Sequence, residues 1–572
     1  MRRFGLGTAF LLVTALFALP GRAAIDTPCA SDKGDCDLIT GMVAMSDGIH
    51  IDASLYVPKG LAGGVEVPLI VRQHGGGSNK DSEYDVRYGI EYVKTKKFAL
   101  LMYSHRGHGS SEGLFDFFGP RTTQDFSEVV DWAGLVSSHV DADTVGVSGY
   151  SQGGGESLLP AENDPRVKAA AVGNTFDSLN RALNPEDCYK FSFASGIFAL
   201  AYKASASKTD DSLAIRWGTQ LNTDTEDVTL GPVPSTTDDL ASRSPLTYVL
   251  PDATRPMYKQ GLQIPVFWSN SWEDQLFPAD HQNAILKDLA SRGFPVHYWF
   301  ASGGHAAGPN DPGDEAGKES AMLRWMEEFL LGEDHGFVSG VVPLVDYAER
   351  SATGGDGAWT HHTASSWPIV SATRTFFAAP GGALTTAAPA ESADVGTIAN
   401  DLVTVNVGND AITHEVLHQV DDGIAGNGGP HTSLHTVPDL VPEGANPADT
   451  ATFTSPGVTP GLNMVGTPET TIKFRTTAAH VVQFDVKLWA PGTNGPDMIG
   501  RGCVSIPIDD ANPSAIRTAT VRLWPNARMF RDNIDAVVLT IASVDFPTFK
   551  PDTEPQVTTL LGGTRIDLPD VS

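Results

Sequence analysis

The chain is poor in the residues that would staple it, carry it through a bilayer or lay it on nucleic acid. Four cysteines in 572 residues are too few for a fold built on a disulfide framework, and none of them has metal-ligand spacing. Cys29 and Cys36 bracket a short polar loop that a small disulfide could close after export, whereas Cys188 and Cys503, far apart in sequence, read as buried free thiols. Positive charge is scarce: 39 Lys and Arg against 69 Asp and Glu leave a net charge of −30. That excludes a nucleic-acid surface, which depends on clustered cations. Apolar runs of the ~20 residues a membrane span needs are missing. The one run that stands out, Phe4 to Leu19, follows Arg2 and Arg3 and precedes the small-x-small triplet Gly21-Arg22-Ala23. Residues 1–23 therefore read as a cleavable signal peptide, and the mature chain is expected to be secreted or periplasmic, with no membrane association.

Glycine is plentiful, and where it clusters the chain is most informative. In TVGVSGYSQGGGES (Thr144 to Ser157) a short apolar strand runs into Gly149-Tyr150-Ser151-Gln152-Gly153. A Gly-x-Ser-x-Gly turn from strand to helix leaves no room for β-carbons two positions either side of the serine, and it pushes the hydroxyl out over the sheet edge. No Lys-Ser/Thr follows the glycines, so the turn lacks the residues a phosphate-binding loop needs. Ser151 is the candidate nucleophile.

Around this turn the pattern is that of alternating strands and helices. MVAM and IHIDASLYVP flank Ser46-Asp47-Gly48 as a hairpin. VPLIVRQ (Val67 to Gln73) and FALLMYS (Phe98 to Ser104) are apolar enough to be buried on both faces, and Gln124 to Trp132 is helical. Such alternation predicts an α/β fold with a mostly parallel sheet and sites at the carboxyl ends of its strands. At one such end stands His74-Gly75-Gly76-Gly77, whose bare backbone suits an oxyanion hole formed by Gly75 and Gly76 with the N–H of Gln152. At another stands SHRGHGSSEG (Ser104 to Gly113), where Arg106 and Glu112 are expected to fix the loop by polar contacts. Tyr150, His74 and Trp272, next to these turns, are candidate substrate contacts, and Tyr84 is a weak candidate for an oxyanion donor.

A nucleophilic serine needs a base and an acid, which in this architecture follow it in the order Asp, His. IPVFWS (Ile264 to Ser269) ends in NSWEDQ, making Asp274 the candidate acid with Glu273 as its neighbour and rival. VHYWF (Val296 to Phe300) ends in ASGGH, making His305 the candidate base. His281 and His297 fall on a helix and within a strand and read as structural.

VRQHGGG, SHRGHGSSEGLFDFFG, GYSQGG, RSPLTY, WEDQLFP and SGGH together resemble the Xaa-Pro dipeptidyl-peptidase and cocaine-esterase family of α/β-hydrolases, over essentially the whole mature chain. The resemblance implies Ser151 as nucleophile, Asp274 as acid and His305 as base, and acyl transfer by these groups needs no metal and no organic cofactor. Two departures stand out. Cocaine-esterase-like members carry a tyrosine where this chain has Gly75, and members acting on α-amino esters carry acids shortly after the aspartate, where this chain has Gln275, Leu276 and Phe277.

The expected organisation is a hydrolase core of residues 24–173 and 266–335, a helical cap of residues 174–265 and a β-sandwich or jelly roll over 340–572. In the cap, Phe191, Phe193, Phe198 and Tyr202 either line an acyl pocket or form the cap's own core. Met322, Met326 and Phe329 with Leu323 and Leu330 form the stripe of a closing helix that Gly332 stops. In the C-terminal region, short strands at turn-rich spacing are the pattern of a sandwich. A carbohydrate-binding role is its rival reading, and Asp421-Asp422-Gly423 reads as a solvated turn rather than a calcium loop.

The chemistry expected is acyl transfer through an acyl-enzyme on a small-molecule ester or peptide-like substrate. Removal of Xaa-Pro dipeptides is the alternative; its ammonium-binding acid would have to come from Asp210, Asp211 or Glu226. A non-catalytic exported binding protein on the same fold is the reading from another class.

Overall fold

The structure is a computed structural model that describes residues 29, 34–190, 208–210, 212–213, 216–217, 236–249, 262–305, 312–350, 359–400, 450–492, 495–509, 512–545, 548–550 and 554–572. The cap aromatics Phe191, Phe193, Phe198 and Tyr202, the acids Asp211 and Glu226, the Asp421-Asp422-Gly423 turn and the leader lie outside the described residues.

Ten strands form the first sheet: β1 (Cys36–Ala44), β2 (His50–Pro58), β3 (Val67–Gln73), β4 (Ala99–Tyr103), β5 (Val140–Tyr150), β6 (Val167–Gly173), β7 (Val266–Ser271), β8 (Val296–Ala301), β9 (Val345–Arg350) and β10 (Trp359–Ala364). Their pairings give the order β1-β2-β4-β3-β5-β6-β7-β8-β9-β10. The strands from β4 to β9 are mutually parallel, and the β1–β2 hairpin and β10 run antiparallel at the edges. Exchange of β3 and β4 in this order leaves β5, the strand that leads into Ser151, in the middle of the sheet.

Alternation along each strand feeds two helix layers. Leu69, Val71, Leu101, Val145, Val147, Val266 and Trp268 point to one face, against Phe126, Val129 and Val130 of α2 (Pro120–Val136) and Ile285 and Leu289 of α7 (Asn283–Ser291). Ile70, Leu100, Met102, Ala169, Ala171 and Phe267 point to the other, against Val86 and Ile90 of α1 (Glu83–Lys94) and Met322, Trp325 and Met326 of α8 (Pro312–Leu331). Burying one such side chain on each face contributes about 2 kcal/mol, which is why these strands carry apolar residues without a polar side. Helix α8 starts seven residues before the expected Glu319, because Pro312 opens it and Asp314 and Glu315 favour its first turn. Helix α3 (Gln152–Ala161) follows the serine directly. Between β6 and β7 the described residues include three short α-helices, α4 (Leu179–Leu183), α5 (Thr236–Ser242) and α6 (Pro245–Val249), and one 3₁₀ turn, Pro185–Asp187.

Beyond β10 every described element is a strand, with almost all pairings antiparallel. Phe453, Phe474, Phe484, Leu539, Leu560 and Ile566 fill the core of this domain. Among the described residues a single bridge, Arg350 with Arg528, joins its strands to β9.

Both cysteine pairs are disulfides. Cys29 pairs with Cys36, as its short loop suggests, at a Cα separation of 4.9 Å. The expectation of free thiols at Cys188 and Cys503 is corrected: they are joined, with Cα atoms 6.0 Å apart. Folding lays the turn after Pro185–Asp187 against the strand Gly495–Pro507, so a separation of 315 residues in sequence becomes contact in space.

Candidate active site

Ser151 sits between β5 and α3 with φ 57° and ψ −126°, a conformation that costs a non-glycine residue of order 1–3 kcal/mol. The glycines on either side make it possible. A β-carbon on Gly149 would fall on the carbonyl of Gly153, and one on Gly153 would fall on the carbonyl of Gln73. Thr175 closes the turn from the end of β6, its hydroxyl donating to the Ser151 carbonyl at 2.7 Å.

The acid and histidine loops leave β7 and β8, which are neighbours in the sheet. His305 lies with Nε2 2.9 Å from Ser151 Oγ and Nδ1 2.9 Å from Asp274 Oδ2. Asp274 is buried, and its other oxygen accepts the backbone N–H groups of Leu276 at 2.8 Å and Phe277 at 2.9 Å. Because the carboxylate can only accept, the shared hydrogen belongs to His305 Nδ1, which leaves Nε2 as the acceptor facing the serine. Glu273, the rival acid, turns the other way and accepts from Arg350 Nη1 at 2.8 Å. The rival histidines are engaged elsewhere: His281 Nδ1 lies 2.7 Å from Asp177, and His297 Nε2 lies 3.0 Å from Asp346.

The glycine loop lies directly against the serine. A β-carbon on Gly75 would come within 3.8 Å of both Ser151 Cβ and the Tyr150 carbonyl. The Gly75 carbonyl is taken by the Ser78 N–H at 3.2 Å and by His74 Nδ1 at 2.8 Å. Among the described residues no acceptor takes the N–H of Gly75 or Gly76. Gln152, at the first position of α3, carries a third backbone N–H beside the nucleophile, and its side-chain amide donates to Glu156.

The three candidate substrate contacts are corrected. His74 is fully buried, its Nε2 accepting the His105 N–H at 3.0 Å while Nδ1 holds Gly75, so it braces the loop from beneath. Trp272 stacks on Phe300, with ring centroids 4.5 Å apart, and donates its indole N–H to the Ala348 carbonyl at 2.6 Å. Tyr150 is buried beside α8, where its hydroxyl donates to Glu319 at 2.7 Å. Tyr84 likewise gives its hydroxyl to Glu315 at 2.8 Å and is no oxyanion donor. All of them lie next to a motif in sequence, but neighbours in a strand or turn alternate in direction. Arg106 and Glu112 do fix their loop: Arg106 pairs with Asp125 at 2.8 Å, and Glu112 holds the His50 N–H at 2.9 Å.

Beneath the glycine loop His74, His105 and His108 cluster with ring centroids 4.2 to 6.1 Å apart. Burial pushes all three imidazoles down, His105 and His108 to about 3, so the cluster is neutral. Burial pushes the carboxyl of Glu156, in contact with His105, well up.

Two residues that sequence reasoning missed hold the loops together. Asn174, at a φ of 41° just after β6, donates from its amide to the carbonyls of Gly304 at 3.2 Å and His305 at 3.0 Å, and accepts from the Ser271 N–H at 3.0 Å. It thereby fastens the histidine loop to the acid strand. Lys190 donates to carbonyls of the acid loop, and its only trace in the sequence is a cation at the head of an apolar run.

The sheet order and this constellation define an α/β-hydrolase. Residues 47–307 match the family model described as X-Pro dipeptidyl-peptidase (S15 family). The protein is a hydrolase of ester or dipeptidyl-peptidase type. An aminopeptidase from a marine sediment archaeon, Thaumarchaeota archaeon, superposes with a TM-score of 0.70 at 15% identity, over 97% of this chain and 99% of that one. An α-amino acid ester hydrolase superposes with a TM-score of 0.68 at 14% identity, over 96% and 98%. A CocE/NonD family hydrolase from Staphylococcus aureus gives 0.61 at 12% identity, over 94% of each chain. These likenesses include the strand-rich C-terminal domain, and at such identities they speak for the fold alone. No curated protein matches the chain in sequence.

Proposed function

We propose that the protein is an exported serine hydrolase of carboxylic esters. The observation that carries this reading is the line from Ser151 Oγ through the His305 ring to Asp274, with both links 2.9 Å. In this mechanism His305 takes the serine proton as Oγ attacks the acyl carbonyl, and Asp274 holds the imidazole in the required tautomer and stabilises the imidazolium. Charge developing on the carbonyl oxygen is met by backbone N–H groups of Gln152 and of Gly75 or Gly76. His305 then protonates the leaving alcohol, and after an acyl-enzyme it activates the water that releases the acid.

Preference for neutral esters is supported by the acid loop. Gln275, Leu276 and Phe277 offer no carboxylate to a substrate α-ammonium, and the cations Lys190 and Arg501 donate to that loop. Export is supported by the basic and apolar leader and by two disulfides, which persist in oxidising compartments. Removal of Xaa-Pro dipeptides is the second reading, favoured by the family that residues 47–307 match.

The test compares kcat/KM for a neutral short-chain aryl ester and an unblocked Ala-Pro anilide, with Ser151→Ala as the blank. Ester preference that vanishes in the variant is expected; dominant anilide cleavage would favour the second reading. Turnover of neither, with no labelling of Ser151 by a fluorophosphonate, would point to a binding protein.

A further inference from the structure

The loop that carries Asp274 is gripped from behind. Lys190, two residues after the disulfide-bonded Cys188, is buried, and its ammonium donates to the carbonyls of Gln275 at 2.6 Å and Leu276 at 3.0 Å. Those carbonyls belong to the peptide groups whose opposite ends are the N–H of Leu276 and the N–H of Phe277. These N–H groups are the two donors that hold Asp274 Oδ1. A peptide group is planar, so fixing its oxygen fixes the direction of its N–H. A cation on the oxygen also polarises the N–H towards the carboxylate.

The C-terminal domain backs this arrangement. The Trp524 ring lies 5.2 Å from the ammonium, Arg501 Nη1 donates to Gln275 Oε1 at 3.1 Å, and Asp545 holds that guanidinium at 2.7 Å. Cys503, on the same strand as Arg501, is bonded to Cys188, and the Lys550 N–H donates to the Tyr189 carbonyl at 2.8 Å.

We propose that Lys190 is a positioning residue for Asp274, binding the carbonyl ends of the two peptide groups whose N–H ends aim the carboxylate at His305. The inference rests on the Ser151, His305 and Asp274 reading above. It also gives the C-terminal domain a part in the reaction, since that domain seals and fastens the lysine. Among the described residues Asp274, Arg501 and Asp280 act on the ammonium; burial lowers it to about 7, so it is charged at acid pH and loses its charge as pH rises through about 7.

The experiment is steady-state kinetics of Lys190→Met on the full chain, with a neutral aryl ester from pH 5 to 9. A fall in kcat of about 30-fold with KM within twofold is expected, because the loss lies in aiming the base rather than in binding substrate. Loss of the cation stabilises the His305 imidazolium, so the acidic limb of the profile moves up by about half a unit. A merely structural lysine would not move that limb. Where Lys190→Met fails to fold, Lys190→Gln, which keeps an N–H donor without the charge, is read for the same shift. A folded variant with kcat within twofold and an unmoved limb overturns the inference while the parent reading stands. Full activity in Ser151→Ala overturns both.

Discussion

Asp274→Asn tests the site through its tautomer logic. Asp274 Oδ1 accepts two backbone N–H groups, from Leu276 and Phe277, and only an oxygen can sit there. In the variant the amide oxygen must keep that place, so the amide nitrogen faces His305 Nδ1, 2.9 Å away in the native protein. Its N–H forces Nδ1 to accept, the ring proton moves to Nε2, and Nε2 can no longer take the proton of Ser151. A serine hydrolase with the wrong tautomer loses about 10⁴ in kcat, or about 5.5 kcal/mol of barrier. The fold keeps both backbone bonds and loses only their charge assistance, a cost of about 1–2 kcal/mol. The assay is aryl-ester turnover beside a thermal melt. Expected is a collapse of kcat with Tm lowered by a few degrees, whereas Asp274→Ala, which strands two buried N–H groups, is expected to melt lower still. An Asn variant within tenfold of native kcat would refute the assignment of Asp274.

Gly153→Ala places a β-carbon on the Gln73 carbonyl, so the turn must open; a cost of about 3 kcal/mol and a Tm lower by ~5 °C are expected, with ester turnover falling at least 100-fold. Cys188→Ser with Cys503→Ser releases a loop of 315 residues, worth about 6 kcal/mol in chain entropy, and calorimetry should show a melt lower by at least ~5 °C. His361 is raised to about 9 by its hydrogen bonds to Asp314 and Asp346. Its folded pKa exceeds the unfolded one, so its stabilisation is complete below about 6.5 and is lost as pH rises through about 9. The Tm advantage of the native protein over His361→Phe should therefore shrink between pH 6 and pH 10; a constant difference would rule the pairing out.

The parts of this molecule that could be read from the sequence are those written locally. A strand that alternates between two apolar faces, as in VPLIVRQ, needs no partner to announce itself, and the clash of a β-carbon at Gly149 or Gly153 is decided within five residues. Asp274 and His305 could be found because each closes a buried strand, and the order of the strands does the rest. What escaped is set by tertiary contact. The Cys188–Cys503 bond depends on how the C-terminal domain meets the base of the insertion. Asn174 acts through carbonyls 130 and 131 residues away, and Lys190 through carbonyls 85 and 86 residues away. Tyr150, His74 and Trp272 differ from expectation for one reason: adjacency in sequence does not fix direction in space, and each side chain points into the scaffold.

The histidine cluster shows why that scaffold avoids charge beneath the nucleophile. His74 accepts the His105 N–H through Nε2 and holds the Gly75 carbonyl through Nδ1, which it can do only as a neutral ring. Protonating Nε2 would break the first bond and set a buried cation under the loop that faces Ser151. Burial pushes the ring well below its ordinary value and makes that step costly, and the neighbours His105 and His108, neutral by the same cause, add no field of their own until strongly acid pH. Burial pushes Glu156 well up too, which disfavours an anion beside the cluster. In the proposed mechanism two charges appear during turnover, the oxyanion and the imidazolium of His305. With a neutral layer beneath them, the oxyanion is left to oriented N–H groups and the imidazolium to Asp274, so each charge is met by a group placed for it.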